Sequence, residues 1–218
     1  MTTPRLPGPQ NRIAVVGSTG TGKTVAGLWH LSNADILLRP WVILDFKRDP
    51  HIAKLAAQEL TLTQTPKRPG LYVYRPIPER DDDAVRALLW RIWERENIGL
   101  FTDEGYMLGN RNPALNALLT QGRTKNIQMI TLSQRPVWMS RFVFSESDFF
   151  QVFRLNDRRD YENIQAMCGL DITRRLPSYH SHYYDVGQDL GIELAPVPKV
   201  TDVLAKINAK LRANIGMI

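Results

Sequence analysis

A chain of 218 residues, 43% hydrophobic and 23% charged, is long enough for one large core and has the composition of an ordinary globular protein. No run of about 18 apolar residues reads as a membrane span, and the single cysteine, Cys168, excludes an intramolecular disulfide framework and a cysteine-rich zinc site. A net charge of +6 favours a polyanionic partner such as nucleic acid.

Residues 1–11, with Pro4, Pro7 and Pro9, read as a Pro-rich arm without an apolar signal region, so a cytoplasmic location is expected. A strand is expected over 12–16, carried by the apolar run Ile13–Val16, and it leads directly into Gly17-Ser18-Thr19-Gly20-Thr21-Gly22-Lys23-Thr24, which spells GxxxxGKT. Glycines at this spacing let the backbone wind tightly and aim N–H groups at the β- and γ-phosphates of a nucleotide, while the next helix offers its positive N-terminal end. Lys23 then neutralises phosphate oxygens and the Thr24 hydroxyl holds Mg²⁺, making ATP the expected ligand.

Further along, strands are expected over 41–46, 71–74, 99–102, 127–132 and 149–155, and helices over 23–31, 50–59, 113–121, 158–167 and 201–213. Pro66 and Pro69 mark 61–69 as a loop. The clearest helix is Asp81–Glu96, where three aspartates lead into the stripe Val85, Leu88, Leu89, Ile92 and Trp93. This alternation predicts an α/β fold: one domain over 12–198 with a mostly parallel central sheet and helices on both faces. Residues 199–218 read as a basic amphipathic helix packed on the core or on a neighbouring subunit. His180 and His182 share one face of a tyrosine-rich, strand-like run, but two imidazoles without further ligands do not make a zinc site.

A P-loop needs a second carboxylate for its metal, usually at the end of an apolar strand, and Gly99–Glu104 supplies it. Asp103 is expected to support Mg²⁺ and Glu104 to polarise the attacking water as general base. The acidic pair favours hydrolysis over phosphate transfer to a bound acceptor, and so disfavours a small-molecule kinase. The strand Met129–Ser133 ends at Gln134, which would reach the γ-phosphate or the water if that strand lies beside the P-loop strand. Gly122 should stop a helix and present Arg123 at its end, where a guanidinium can project into a neighbouring subunit and stabilise the transferred phosphoryl group in trans.

With these segments placed, the chain resembles the FtsK–HerA superfamily of DNA-pumping P-loop ATPases. The resemblance rests on GSTGTGKT, VILDFKRD (42–49), FTDE (101–104), TQGRTKNIQMITLSQRP (120–136) and FRLNDRRDYENI (153–164). It implies a RecA-like fold, a hexameric ring with ATP at each subunit boundary, Arg123 as the trans arginine, Gln134 as the sensor, and Asp45 and Lys47 close to the nucleotide. It also implies double-stranded DNA passing through the ring, with Arg111, Arg135 and Arg141 as candidate DNA contacts. The compact form looks like the genome-packaging ATPases of tailless, internal-membrane (tectivirus-like) phages and their archaeal relatives. That implies packaging of a viral genome into a preformed capsid, with capsid or portal-vertex proteins as partners and a place in the host cytoplasm or at a packaging vertex. The alternatives are a cellular or plasmid DNA pump of the same superfamily, a filamentous-phage Zot-like assembly ATPase, and a virion protein that binds nucleotide without hydrolysing it.

Overall fold

The protein is described by a computed structural model over residues 5–215; residues 1–4 of the Pro-rich arm and 216–218 of the C-terminal segment lie outside the described residues. Its strands are β1 (Arg12–Val16), β2 (Pro40–Asp45), β3 (Gln58–Glu59), β4 (Gly70–Tyr74), β5 (Gly99–Asp103), β6 (Gln128–Ser133), β7 (Phe149–Val152), β8 (Ser181–Asp185) and β9 (Leu190–Leu194). They form one sheet in the order β3-β4-β2-β5-β6-β1-β7-β8-β9. Every pairing from β3 to β7 is parallel, and β8 and β9 extend the sheet as antiparallel strands.

The helices are α1 (Lys23–Asn33), α2 (Asp82–Arg95), α3 (Pro113–Gln121), α4 (Arg141–Ser145), α5 (Arg158–Gln165) and α6 (Val200–Ile215). Successive strand residues point to opposite faces, and the two cores divide accordingly. Ala14, Val16, Val42, Leu44, Leu100 and Met129 meet Leu88, Leu89 and Ile92 of α2 and Leu115, Leu118 and Leu119 of α3. On the other face Ile13, Val15, Trp41, Ile43, Phe101 and Leu132 meet Leu28 and Leu31 of α1 and Val203, Ile207 and Leu211 of α6. Because both faces are covered, β1, β2, β5, β6 and β7 are buried along their whole length, which is why they read as continuous apolar runs. The C-terminal helix α6 lies on the core of its own chain, with Lys210 Nζ donating to the Ser32 carbonyl at 2.8 Å and Lys206 Nζ to Asn33 Oδ1 at 2.6 Å. No helix among the described residues is long and apolar enough to cross a membrane.

Two expected elements differ. In place of a helix over 50–59 there is a single 3-10 turn, Ile52–Lys54, and the short edge strand β3. Only Ile52 and Leu55 are buried there, too little apolar surface for a second turn, and the Ala56 N–H is taken by Asn208 Oδ1 of α6. The strand expected over 149–155 keeps ladder pairing only to Val152; the Phe153 N–H still reaches the Val16 carbonyl, and the chain then turns beneath the P-loop.

His30, on the buried face of α1, bonds through Nε2 to Gln151 Oε1 at 2.8 Å, and burial pushes its pKa down to about 4. Its depressed value means that the stability it contributes is present above about pH 6.5 and lost as pH falls towards 4, on the order of 3 kcal/mol at the limit. The melting-temperature gap between the wild type and His30→Asn should therefore shrink through that window; a gap that stays constant from pH 7 to pH 4 would refute the assignment.

Candidate active site at the carboxyl edge of the parallel strands

In a parallel sheet every strand delivers its C-terminal residue to the same edge, so β1, β5, β6 and β2 present Gly17, Asp103, Ser133-Gln134 and Asp45 together. The P-loop is tied down on both sides. Toward β6, the Gly17 N–H donates to the Ser133 carbonyl at 3.1 Å and Thr19 Oγ1 to Gln134 Oε1 at 2.7 Å. Toward β7, both the N–H and the hydroxyl of Ser18 donate to the Arg154 carbonyl at 2.9 Å. Gly20 and Gly22 have φ of 79° and 97°, values that side-chain-bearing residues rarely adopt. Gly22 caps α1 without a side-chain hydrogen bond, which leaves the helix N-terminus open to an anion.

Glu104 follows β5 in a left-handed turn, φ 61° and ψ 63°, a strained placement of the kind found at functional sites. Its carboxylate is fully buried. Oε1 accepts from Lys23 Nζ at 3.3 Å and from Lys47 Nζ, and Oε2 accepts the backbone N–H of Gln134 at 3.1 Å. The Gln134 amide also reaches Tyr106 Oη at 3.4 Å. Four sequence-expected residues, Lys23, Lys47, Glu104 and Gln134, thus meet around one carboxylate.

Asp103 is different. It is 1% exposed, and neither carboxylate oxygen has a hydrogen-bond partner. Burial pushes its pKa up to about 7, with the Lys23 ammonium pulling the other way. An orphaned carboxylate at a strand end, with the Thr24 hydroxyl in the first turn of the P-loop helix, is a donor set that fits Mg²⁺ held jointly by protein and phosphate oxygens. Asp45 sits in register with Asp103 but is already engaged: its carboxylate takes the Asp49 N–H at 2.9 Å and Arg75 Nε at 3.3 Å. Asp45 therefore organises the loop that carries Lys47 to Glu104.

The arginines are dispersed. Arg123 follows α3 at the opposite, amino edge of the parallel strands, 52% exposed and paired with Asp148 at 2.8 Å. It does not reach the nucleotide edge of its own chain. Arg111 and Arg141 are exposed, whereas Arg135 is held by Asp157 at 3.2 Å and Asp160 at 3.7 Å and lies over the Trp138 ring. Two features have no counterpart in the sequence reading: the Tyr106 contact to Gln134, and a cavity of about 420 Å³ that shares Gly20 and Thr21 with the P-loop and extends beneath the loop 172–180.

The sequence and the fold are similar to those of known proteins. The DNA packaging ATPase P9 of Enterobacteria phage PRD1 is 47% identical over 217 residues, covering 94% of this chain and 96% of the relative. Among solved structures, the genome packaging NTPase B204 from Sulfolobus turreted icosahedral virus 2, in complex with ATP-gammaS, superimposes with a TM-score of 0.71 at 16% identity, over 87% of this chain and 99% of that one. ATPases 2 and 3 of EssC from Geobacillus thermodenitrificans superimpose with a TM-score of 0.65 at 12% identity, over 95% of this chain and 44% of that one. No protein-family model matches the chain.

Proposed function

This chain belongs to the family of viral DNA-packaging ATPases that includes P9, and from that premise we propose that it hydrolyses ATP to drive double-stranded DNA into a preformed viral shell. The observation that carries the reading is the buried Glu104 carboxylate, held by the P-loop lysine, by Lys47 and by the sensor strand at one point. Lys23 Nζ lies 3.3 Å from Glu104 Oε1. When a triphosphate enters the P-loop, Lys23 turns to its β- and γ-oxygens, and Glu104 Oε1, left with Lys47 as its one ammonium partner, can accept a proton from water. Gln134, bonded to Thr19 on the P-loop and through its backbone to Glu104, couples phosphate occupancy to the base and to the Arg135–Trp138 segment that follows. Mg²⁺, held by Thr24 and Asp103 with the phosphates, would neutralise the charge that develops on the leaving oxygen.

The parts that lie off this edge belong to the assembly. A hexameric ring would place Arg123 of one copy against the nucleotide of the next and line its hole with basic residues, Arg111 and Arg141 among them. Arg135, already shared between two acids, is the weaker DNA contact of the three. Capsid or vertex proteins would anchor the ring in the host cytoplasm. Contacts with the DNA backbone are sequence-independent and release counterions, so their strength falls steeply with salt. Duplex DNA of any sequence should raise ATP turnover at about 50 mM salt, and the stimulation should vanish by roughly 200 mM. Turnover indifferent to DNA at every salt concentration would overturn the motor reading while leaving an ATPase.

A further inference from the structure

Resting on the nucleotide reading above, we propose that the nucleoside half of ATP lies in the cavity beside the P-loop, with its base stacked on Tyr179. A phosphate chain at the N-terminus of α1 leaves its nucleoside two ways out. Toward β6 the P-loop is already engaged: Gln134 bonds Thr19 directly, and Tyr106 and Trp138 pack edge to face beside it. Toward β7 the way is open, into a cavity of about 420 Å³ whose wall includes Gly20 and Thr21 themselves. That volume falls within the range of small-ligand sites.

The wall carries the right chemistry. Phe153 is buried against the P-loop, so close that a Cβ on Gly17 would fall 2.6 Å from its own Cβ. Tyr179 lies on the same loop: a Cβ on Gly22 would come within 3.2 Å of Tyr179 Cδ1. The residue is nevertheless 59% exposed, and its backbone is left-handed at φ 63°. A loop needing only that backbone would carry glycine or asparagine; a large aromatic held there at a cost in strain, and left mostly exposed, is suited to meet a flat apolar partner. Arg154 follows β7, is exposed, makes no ion pair among the described residues and lines the same cavity, where its guanidinium would meet the ribose and α-phosphate. Ile172 and Leu155 close the floor. Sequence alone does not bring these groups together, because Tyr179 lies far along the chain from the loop it covers.

Two variants separate stacking from scaffolding. Tyr179→Gly removes the ring and relieves the left-handed strain, so its melting temperature should not fall, whereas Tyr179→Phe restores the ring. Equilibrium binding is measured with ATP and with inorganic tripolyphosphate, which has no base. Base–aromatic stacking is worth about 1–3 kcal/mol, so Tyr179→Gly should bind ATP roughly 5- to 150-fold more weakly, hold tripolyphosphate as the wild type does, and regain ATP affinity in the phenylalanine variant. Unchanged ATP affinity in Tyr179→Gly overturns the proposal, and so does an equal loss for ATP and tripolyphosphate, which would make Tyr179 a prop for the P-loop. A wild type that binds tripolyphosphate but gains nothing from the base also overturns it while sparing the P-loop reading. A wild type that binds neither overturns both.

Discussion

Glu104→Gln is expected to bind ATP with near-normal affinity and to hydrolyse it about 10²- to 10⁴-fold more slowly. The substitution keeps the side chain's size and its ability to accept the Gln134 N–H, but removes the basic oxygen that Lys23 and Lys47 now occupy. Lys23→Ala should fail earlier, at binding, because the P-loop then lacks the cation that neutralises the phosphates. Single-turnover rates and equilibrium binding together distinguish the two variants. Normal turnover in Glu104→Gln would remove the residue from the chemistry and leave it a buried structural anion, whose partners it would still satisfy.

Arg123→Ala should also bind nucleotide, with hydrolysis falling by about 10³ to 10⁵ if the guanidinium serves an adjacent copy. The geometry makes the test sharp. Arg123 lies across the sheet from its own P-loop, so no rotamer of its own can supply the site in cis. Its partner Asp148 is a weak hold: a half-exposed ion pair is worth at most about 1 kcal/mol, and a phosphate can take the guanidinium from it. Mixing Arg123→Ala with Lys23→Ala, each inactive alone, should restore hydrolysis at boundaries where an intact P-loop faces an intact arginine. The absence of rescue in rings verified to be mixed would exclude a trans role.

The P-loop and Asp103-Glu104 were legible because their chemistry imposes local spacing: glycines where φ must be positive, acids where a buried strand ends. The parallel sheet was legible for a related reason, since strands covered on both faces leave unbroken apolar runs such as Trp41–Leu44. Gln134 could be placed only by assuming that β6 lies beside β1, and the observed order puts it there. What local pattern does not encode stayed hidden. The edge strand β9 does alternate half-buried Leu190, Ile192 and Leu194 with exposed Gly191 and Glu193, but this five-residue run is too short to stand out without its pairing partner β8. Residues 50–59 carry apolar residues at helical spacing, but α6, some 150 residues later, takes the backbone donor that a helix there would have needed. Lys47 was expected near the nucleotide; its pairing with Glu104 depends on the turn built around Asp45 and Asp49.

Asp103 is buried with no protein hydrogen bond to either oxygen, and its ionised form therefore weighs against the fold. Holding that carboxyl near pKa 7 in place of 3.8 costs the folded state on the order of 2–4 kcal/mol at neutral pH. Asp103→Asn should therefore melt roughly 5 °C or more above the wild type in chelator, while the wild type should gain the more from ATP with Mg²⁺. Equal melting temperatures in chelator would mean that the charge is relieved in some other way. During turnover the protein would then tighten as it loads and loosen as it empties, so that the fold is at its least stable in the interval between product release and the next ATP.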